Sequence, residues 1–282
     1  MPEGDTIHRT ARTLHRALAS RVVTRFESVY PRLTRVDADA PLCGRTIERV
    51  EARGKHVLMW FSGRRPLILR THMRMQGSWH IYRPGERWQR PRHEMRIVIE
   101  TDAIHAIAFN VPVAELAAAS EIERGHALST LGPDVLSDTF DANDAARRMS
   151  ERADMSIADA LLDQSAIAGI GNIYKCEALF AAQVHPFAPV GSLAPETISR
   201  VLAAAVKMMR ANVAKSAAGA MTARRTTGRA DPDARFWVYG RRGQPCRRCG
   251  TPIARDARSD ARVTYWCRRC QRATLESNDP GR

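Results

Sequence analysis

Lysine is nearly missing from this 282-residue chain. Only four occur, Lys55, Lys175, Lys207 and Lys215, and the other 40 of the 44 basic residues are arginine. Acids are also few, 30 against those 44, leaving a net charge of +14. No run approaches the ~18 consecutive apolar residues of a spanning helix, which excludes an ordinary transmembrane helix. The opening residues, Met1-Pro2-Glu3-Gly4-Asp5-Thr6, hold acids where a secretory signal has an apolar core, so the cytoplasm is the expected compartment and no membrane association is expected. There are six cysteines, too few and too clustered for a disulfide framework, and the 44% apolar content excludes a mostly disordered chain. What remains is an arginine-rich globular protein whose field attracts polyanions, nucleic acid first and an anionic membrane surface second.

The texture changes along the chain. Residues 6–18 carry Ile7, Thr10, Ala11, Leu14, Ala17 and Leu18 at helical spacing. From about 45 to 110, short apolar runs are broken by Gly and Pro, and His56–Phe61, Leu67–Arg70, Ser78–Tyr82, Arg96–Glu100 and Ile104–Phe109 read as strands. Several short strands with turns between them predict a sandwich or barrel-like layer. Leu131-Gly132-Pro133-Asp134 and a polar stretch then mark a boundary. After about 152 the pattern is helical. Ile157, Leu161 and Leu162 share one face, and the turn Ala168-Gly169-Ile170-Gly171-Asn172 leads into a helix from about Ile173 to Ala182. Another helix is expected over Pro195–Val213, with Pro in the first turn. Residues 216–235 lack periodicity and read as a mobile loop.

Cys246-x-x-Cys249 and Cys267-x-x-Cys270 are separated by 17 residues, the spacing of a four-thiolate zinc ribbon. Four protein ligands leave no open coordination position, so the expected single Zn²⁺ is structural. Between 221 and 272 there are 14 arginines and 4 aspartates and neither Lys nor Glu, a local excess of +10 before the metal and its thiolates are counted. Arginine at that density around a ribbon fits phosphate binding, although a merely solvated basic face would read the same way.

Other features carry chemistry only weakly when taken singly. Removal of Met1 would leave Pro2 as a free secondary amine, and a neutral amine attacks an electrophilic carbon to give a cationic iminium, with Glu3 placed for proton transfer. Pro2 equally suits a plain entry to the first helix. Lys55, in Arg53-Gly54-Lys55 before a strand, is a tunable amine among arginines that cannot give up a proton. A structural lysine is the plain alternative. The glycines of 168–172 let backbone approach a phosphate, with Asn172 as an added donor, or simply join two helices. In His72-Met73-Arg74-Met75-Gln76-Gly77, Met75 can wedge a base stack or pack a core.

Taken together in order, the motifs are identifiable. Met-Pro-Glu-Gly at 1–4, Arg-Gly-Lys-His at 53–56, Leu-Gly-Pro-Asp at 131–134, Leu161-Leu162-Asp163-Gln164 through Ala168-Gly169-Ile170-Gly171-Asn172-Ile173-Tyr174, Val238-Tyr239-Gly240-Arg241 and the two cysteine pairs ending in Cys270-Gln271 span nearly the whole chain. The sequence resembles the formamidopyrimidine-DNA glycosylase / endonuclease VIII family. The resemblance implies an α+β multidomain fold, with an N-terminal β-sandwich flanked by helices, a helix–two-turn–helix domain and a C-terminal zinc ribbon, and DNA in the cleft between them. The expected boundaries are 1–135 for the catalytic sandwich, 136–152 for a linker, 153–228 for the helix–two-turn–helix domain, 229–275 for the ribbon with a preceding flexible loop, and 276–282 for a tail.

The resemblance also implies roles. Pro2 matches the Schiff-base nucleophile and Glu3 the general acid/base. Lys55 matches the lysine that contacts phosphate and assists elimination, Asn172 the phosphate-binding asparagine, and Arg262 the catalytic ribbon arginine that grips phosphate at the lesion and is assigned to δ-elimination. Met75 matches the void-filling residue, with Arg74 and Gln76 as flanking DNA contacts. Three departures are informative. Asp5-Thr6 replaces the usual Pro-Glu, Asn110-Val111-Pro112 replaces the Asp-Pro-Arg-x-Phe-Gly of the oxidised-purine branch, and Ala261 replaces a usual Gly. The first two resemble endonuclease VIII, especially its second actinobacterial type. The expected activity is therefore that of a monomeric bifunctional glycosylase/AP lyase on double-stranded DNA with oxidised pyrimidines or abasic sites, cleaving the strand by β- or β,δ-elimination. An 8-oxoguanine-type purine glycosylase and a non-catalytic DNA-binding protein are the alternatives.

Overall fold

Alternation in His56–Phe61 turns Val57, Met59 and Phe61 to one side of a strand, and these residues build the first core. The computed structural model describes residues 2–217, 223–229, 231–256 and 262–273. Met1, Ala261 and the expected 276–282 tail lie outside the described residues. The chain divides into two units, Met1–Thr130 and Leu131–Arg282.

In the first unit, helix α1 (Gly4–Leu18) precedes β1 (Arg25–Ser28), α2 (Pro31–Asp39), β2 (Ile47–Arg53), β3 (His56–Phe61), β4 (Leu67–His72), β5 (Ser78–Tyr82), β6 (Met95–Glu100), β7 (His105–Phe109), β8 (Val113–Ala118), α3 (Ala119–Arg124) and α4 (His126–Ser129). The described strands form two four-stranded antiparallel sheets, β1-β6-β7-β5 and β2-β3-β4-β8. Their inner faces meet in one core, where Val57, Met59, Phe61 and Leu69 join Ile97, Ile99, Ala106 and Ala108. Ile7, Ala11, Leu14 and Leu18 of α1 extend it at the i, i+3, i+4 spacing expected from the sequence. Fully burying one such Leu or Ile contributes roughly 1.5–3 kcal/mol. The outer face of the β1-β6-β7-β5 sheet has its own apolar layer of Tyr82, Met95, Val98, Ile107 and Phe109, covered by Trp88.

The strands expected from the sequence all form, with edges displaced by at most two residues. β4 runs on to His72 because it pairs with β8 as far as Val113. β8 itself, Val-Ala-Glu-Leu-Ala-Ala, was not anticipated. Alanine and leucine favour helix, but cross-strand pairing overrides that weak preference.

The second unit is helical, with α5 (Ala142–Ser150), α6 (Ile157–Ala160), α7 (Asn172–Ala182) and α8 (Pro195–Ala217), followed by the ribbon β9 (Ala254–Asp256) and β10 (Thr264–Trp266). The stretch 136–152, expected to be a linker, contains α5. Asp141 caps it by accepting from the Asn143 and Asp144 amides, and Ala145 and Met149 are fully buried. Only two apolar positions face inward, so its helical period is faint in the sequence. The face expected from Ile157, Leu161 and Leu162 shrinks to the single turn of α6, capped by Ser156. Helix α7 is buried at every position from Asn172 to Phe180. Tyr174, Ala178 and Leu179 join the core formed with α8, and Cys176 and Phe180 face the ribbon cluster. No helix among the described residues is long and apolar enough to cross a membrane.

Candidate active site and nucleic-acid interface

In the first unit, Pro2 is half-buried just ahead of α1. Glu3 is the N-cap residue, in extended conformation, and its carbonyl accepts from the Thr6 and Ile7 amides at 2.9 and 3.0 Å. Its side chain does not cap the helix, yet the residue is only 1% exposed. A carboxylate there sits at the positive end of the helix dipole, where negative charge is favoured. Asp5 is fully buried and pairs with Arg9 at 3.6 Å, so the Asp5-Thr6 departure is accommodated inside the first turn.

Lys55 occupies the two-residue turn between β2 and β3, closed by the Arg53–His56 pair. Gly54 takes φ +59°, which suits the first central position of a II′ turn and strains other residues. Lys55 is 9% exposed. The turn after β4 separates its two methionines. Met73 is 2% exposed and belongs to the core, whereas Met75 is 65% exposed between exposed Arg74 and Gln76. Two devices project this tip. Arg74 adopts φ +50° with its amide donating to His72 Nδ1 at 3.1 Å. Gly77 lies so close to the Met73 carbonyl that a Cβ would fall 2.5 Å from its oxygen.

In the second unit, the glycine turn is clamped by Gln164. Its Nε2 donates to the Leu162 and Ile170 carbonyls, and its Oε1 accepts from the Gly169 amide at 3.0 Å. Gly169 takes φ +99°. Asn172 opens α7, and its Nδ2 donates to the Val263 carbonyl at 2.8 Å, which leaves that nitrogen a second N–H. Its Oδ1 is buried and accepts no hydrogen bond. One turn on, Lys175 is 1% exposed and donates to Thr264 Oγ1 at 2.8 Å and to the Arg262 carbonyl at 3.4 Å. Asn172 and Lys175 thus hold the backbone of 262–264, from which the Arg262 side chain is exposed.

The four cysteine sulfurs lie within 4.8 Å of one another. Cys246 and Cys270 are 3.9 Å apart and Cys249 and Cys267 3.5 Å, against about 3.8 Å for a tetrahedral ion with 2.3 Å zinc–sulfur bonds. The arrangement fits one structural Zn²⁺ held by Cys246, Cys249, Cys267 and Cys270. Knuckle hydrogen bonds support it, from the Gly250 amide to the Cys246 carbonyl and from the Gln271 amide to that of Cys267, each at 2.9 Å. Gln271 also accepts from the Cys267 amide and donates to the Val184 carbonyl just beyond α7.

Sequence reasoning passed over Lys175, Glu177 and Gln271. Glu177, on α7, is completely buried and accepts from the amides of Trp237, Val238 and Tyr239 at 2.8–2.9 Å and from the Thr226 hydroxyl. Burial pushes its carboxyl pKa up, and these four donors oppose the shift. They anchor part of the expected mobile loop. Arg225 is likewise tied to Asn212 by two main-chain bonds of 2.9 and 2.7 Å. The available signal was two charges, Lys175 and Glu177, inside an otherwise apolar helix.

Three family models match in chain order. They describe the formamidopyrimidine-DNA glycosylase N-terminal domain over residues 1–112, its H2TH domain over 131–224, and the zinc finger found in FPG and IleRS over 243–273. The chain belongs to the formamidopyrimidine-DNA glycosylase / endonuclease VIII family. Among similar members, the probable endonuclease 8 2 of Streptomyces coelicolor is 40% identical over 275 residues, covering 96% of this chain and 94% of its own length. The Mycolicibacterium smegmatis DNA-(apurinic or apyrimidinic site) lyase Nei2 is 38% identical over 97% of this chain and 100% of its own. The fold is shared with the Lactococcus lactis formamidopyrimidine-DNA glycosylase solved with abasic-site DNA, with a TM-score of 0.80 at 22% identity, covering 96% of this chain and 100% of that one.

Proposed function

We infer that this protein is a bifunctional DNA glycosylase and AP lyase of base excision repair, which removes oxidised bases, pyrimidines by preference, and cleaves the strand at the resulting or pre-existing abasic site. The observation that carries the reading is Pro2 set directly before a buried Glu3 at the start of α1, in a chain 40% identical over nearly its whole length to proteins named endonuclease 8 2. The working state is a monomer in the cytoplasm, at the nucleoid when bound to DNA.

The chemistry follows from the amine. An unperturbed α-amino group has a pKa of about 8, so a useful fraction of Pro2 is neutral near pH 7. The damaged nucleotide leaves the stack, at a cost of about a few kcal/mol, and Met75, flanked by Arg74 and Gln76, fills the gap. The Pro2 nitrogen attacks C1′, the glycosidic bond breaks, and the base departs with its electron pair and takes a proton. The Pro2 N–H proton is then lost and the C1′–O4′ bond breaks, with O4′ taking a proton, which leaves an iminium that is cationic because the amine is secondary. It acidifies C2′–H, and loss of that proton expels the 3′ phosphate oxygen as the C3′–O bond breaks. Glu3 moves protons in these steps. Lys55, the second amide N–H of Asn172 and Arg262 hold phosphates. The zinc ion shapes the ribbon that carries Arg262, and with four thiolate ligands it has no position for substrate.

Borohydride tests the reading, because it reduces the iminium to a stable amine. Incubation with abasic-site DNA is expected to cross-link the protein through Pro2. No adduct at saturating protein would leave a DNA-binding protein without catalysis. A panel of defined lesions tests the substrate preference, and faster excision of 8-oxoguanine than of oxidised pyrimidines would favour the purine-type alternative.

A further inference from the structure

The register of the β2-β3-β4-β8 sheet gathers a polar cluster that the mechanism above does not use. Val57 pairs with Thr71 and Leu58 with Arg70, so His56 stands opposite His72, and Arg70 pairs in turn with Glu115 on β8. These four residues share the sheet face opposite Val57, Leu69 and Leu116, which belong to the sandwich core.

Arg70 is 9% exposed and directs all three guanidinium nitrogens at partners. Nε and Nη2 donate to Glu115 Oε2 at 3.0 and 2.6 Å, and Nη1 donates to His56 Nδ1 at 3.2 Å. A guanidinium has no acceptor, so His56 Nδ1 presents its lone pair and the ring proton resides on Nε2. His72 Nδ1 accepts from the Arg74 amide and is fixed the same way. The two rings meet edge to face, with centroids 4.9 Å apart. Both are therefore uncharged, although cations surround them: Lys55 in the adjoining turn, Arg53 opposite on β2 with its partner Glu51, Arg70 on β4, and Arg74 beyond it. Burial is the largest cause that pulls His56 down to about 3 and His72 to about 4, and the charges of Arg70, Arg74 and Lys55 add to it.

We propose that Arg70, oriented by Glu115, and His56 are positioning residues for Lys55: they brace the turn that carries it and keep the charge around its ammonium constant where an ordinary histidine would titrate. A protonated His56 would place a further cation beside Lys55 and alter both its phosphate contact and its proton affinity. Burial opposes this, and the Arg70 guanidinium held against Nδ1 adds to that opposition. The inference rests on the glycosylase/lyase reading and assigns His56 no contact with DNA.

The test combines side-chain ¹⁵N NMR with cleavage of abasic-site DNA. In the wild-type protein, His56 is expected in the Nε2–H form without titrating between about pH 5 and 8. In the double variant Arg70→Met/Glu115→Met, the ring is expected to lose its fixed Nε2–H form and its pKa to rise, while burial and the charges of Lys55 and Arg74 keep it below the ordinary value of about 6.5. The acid limb of the kcat profile for strand cleavage should move up in pH together with that ionisation, with KM changed less. A folded His56→Asn protein keeps an acceptor at the Nδ1 position and should stay within about threefold of wild type, whereas His56→Phe, which keeps the ring but offers no acceptor, should lose on the order of tenfold. Ordinary titration of His56 in the wild type, or a folded His56→Phe protein that cleaves like wild type with an unchanged pH profile, would overturn the proposal. Absence of a borohydride adduct in the wild type would instead defeat the enzymatic reading, and the NMR comparison would still decide whether Arg70 fixes the His56 ring.

Discussion

Lys175 on α7 donates to Thr264 Oγ1 at 2.8 Å, so a fully buried ammonium braces the strand that follows Arg262. Hydrogen bonds made by charged groups are worth about 1.5–3 kcal/mol, and their loss releases whatever they held. Lys175→Met keeps the volume and removes a buried charge, so the unit is expected to stay folded. Affinity for abasic-site DNA should fall on the order of tenfold, because Arg262 loses its fixed base. Fluorescence titration of the folded variant checks this, and unchanged affinity would remove Lys175 from the phosphate grip.

Glu177 is the point at which residues 226 and 237–239 are tied to α7. Glu177→Gln replaces one of the two oxygens by an NH₂, which then faces either the Val238 and Tyr239 amides or the Trp237 amide and the Thr226 hydroxyl, donors that need an acceptor. A cost of about 2–4 kcal/mol is expected from one misdirected buried donor and weakened charge-assisted bonds. Thermal denaturation measures it, and hydrogen exchange should show the Trp237, Val238 and Tyr239 amides deprotected first.

Chelation separates the two units. Removing the zinc from its four thiolates should unfold the 246–271 ribbon, since such sites supply folding free energy directly. DNA binding and borohydride trapping should both disappear, while the sandwich, whose core lies wholly within residues 7–116, keeps its own melting transition. Calorimetry with and without chelator, alongside zinc stoichiometry, gives the answer. Expected are one ion per chain and one surviving transition.

Met75 is one of the few large apolar side chains exposed among the described residues. Met75→Ala should leave the melting temperature within about 0.5 kcal/mol of wild type in stability terms, as for other exposed positions. Excision from duplex DNA should drop about tenfold, since the wedge offsets unstacking, and excision from single-stranded DNA should change far less. Equal losses on both substrates would point to a role other than filling the stack.

Much of this was legible in the linear sequence because the signals were local. The β3 run, the cysteine spacing and the Met-Pro-Glu-Gly opening need no tertiary partner to be read. The strand β8 was not legible, because its Ala-Leu composition favours helix and only pairing with β4 makes it extended. Helix α5 hid behind its polar surface, with two inward positions too sparse to show a period. The two methionines of the turn after β4 could not be ranked by composition. Their exposures of 2% and 65% depend on the turn set by Arg74 and Gly77. Lys175, Glu177 and Gln271 were missed because their partners lie 49 to 89 residues away.

Helix α7 has one further consequence, for modularity. Asn172, Lys175, Cys176 and Glu177 reach, respectively, Val263, Thr264, Tyr265 and the 226–239 segment, and Gln271 closes on the turn just past the helix end. The ribbon is therefore no interchangeable cassette, even though its metal site is self-contained. A chimera that grafts a relative's ribbon onto this chain should fail unless positions 172, 175, 176 and 177 travel with it. The eleven residues of α7 act as a shared ruler for the metal knuckles and for the Asn172 amide that opens the helix.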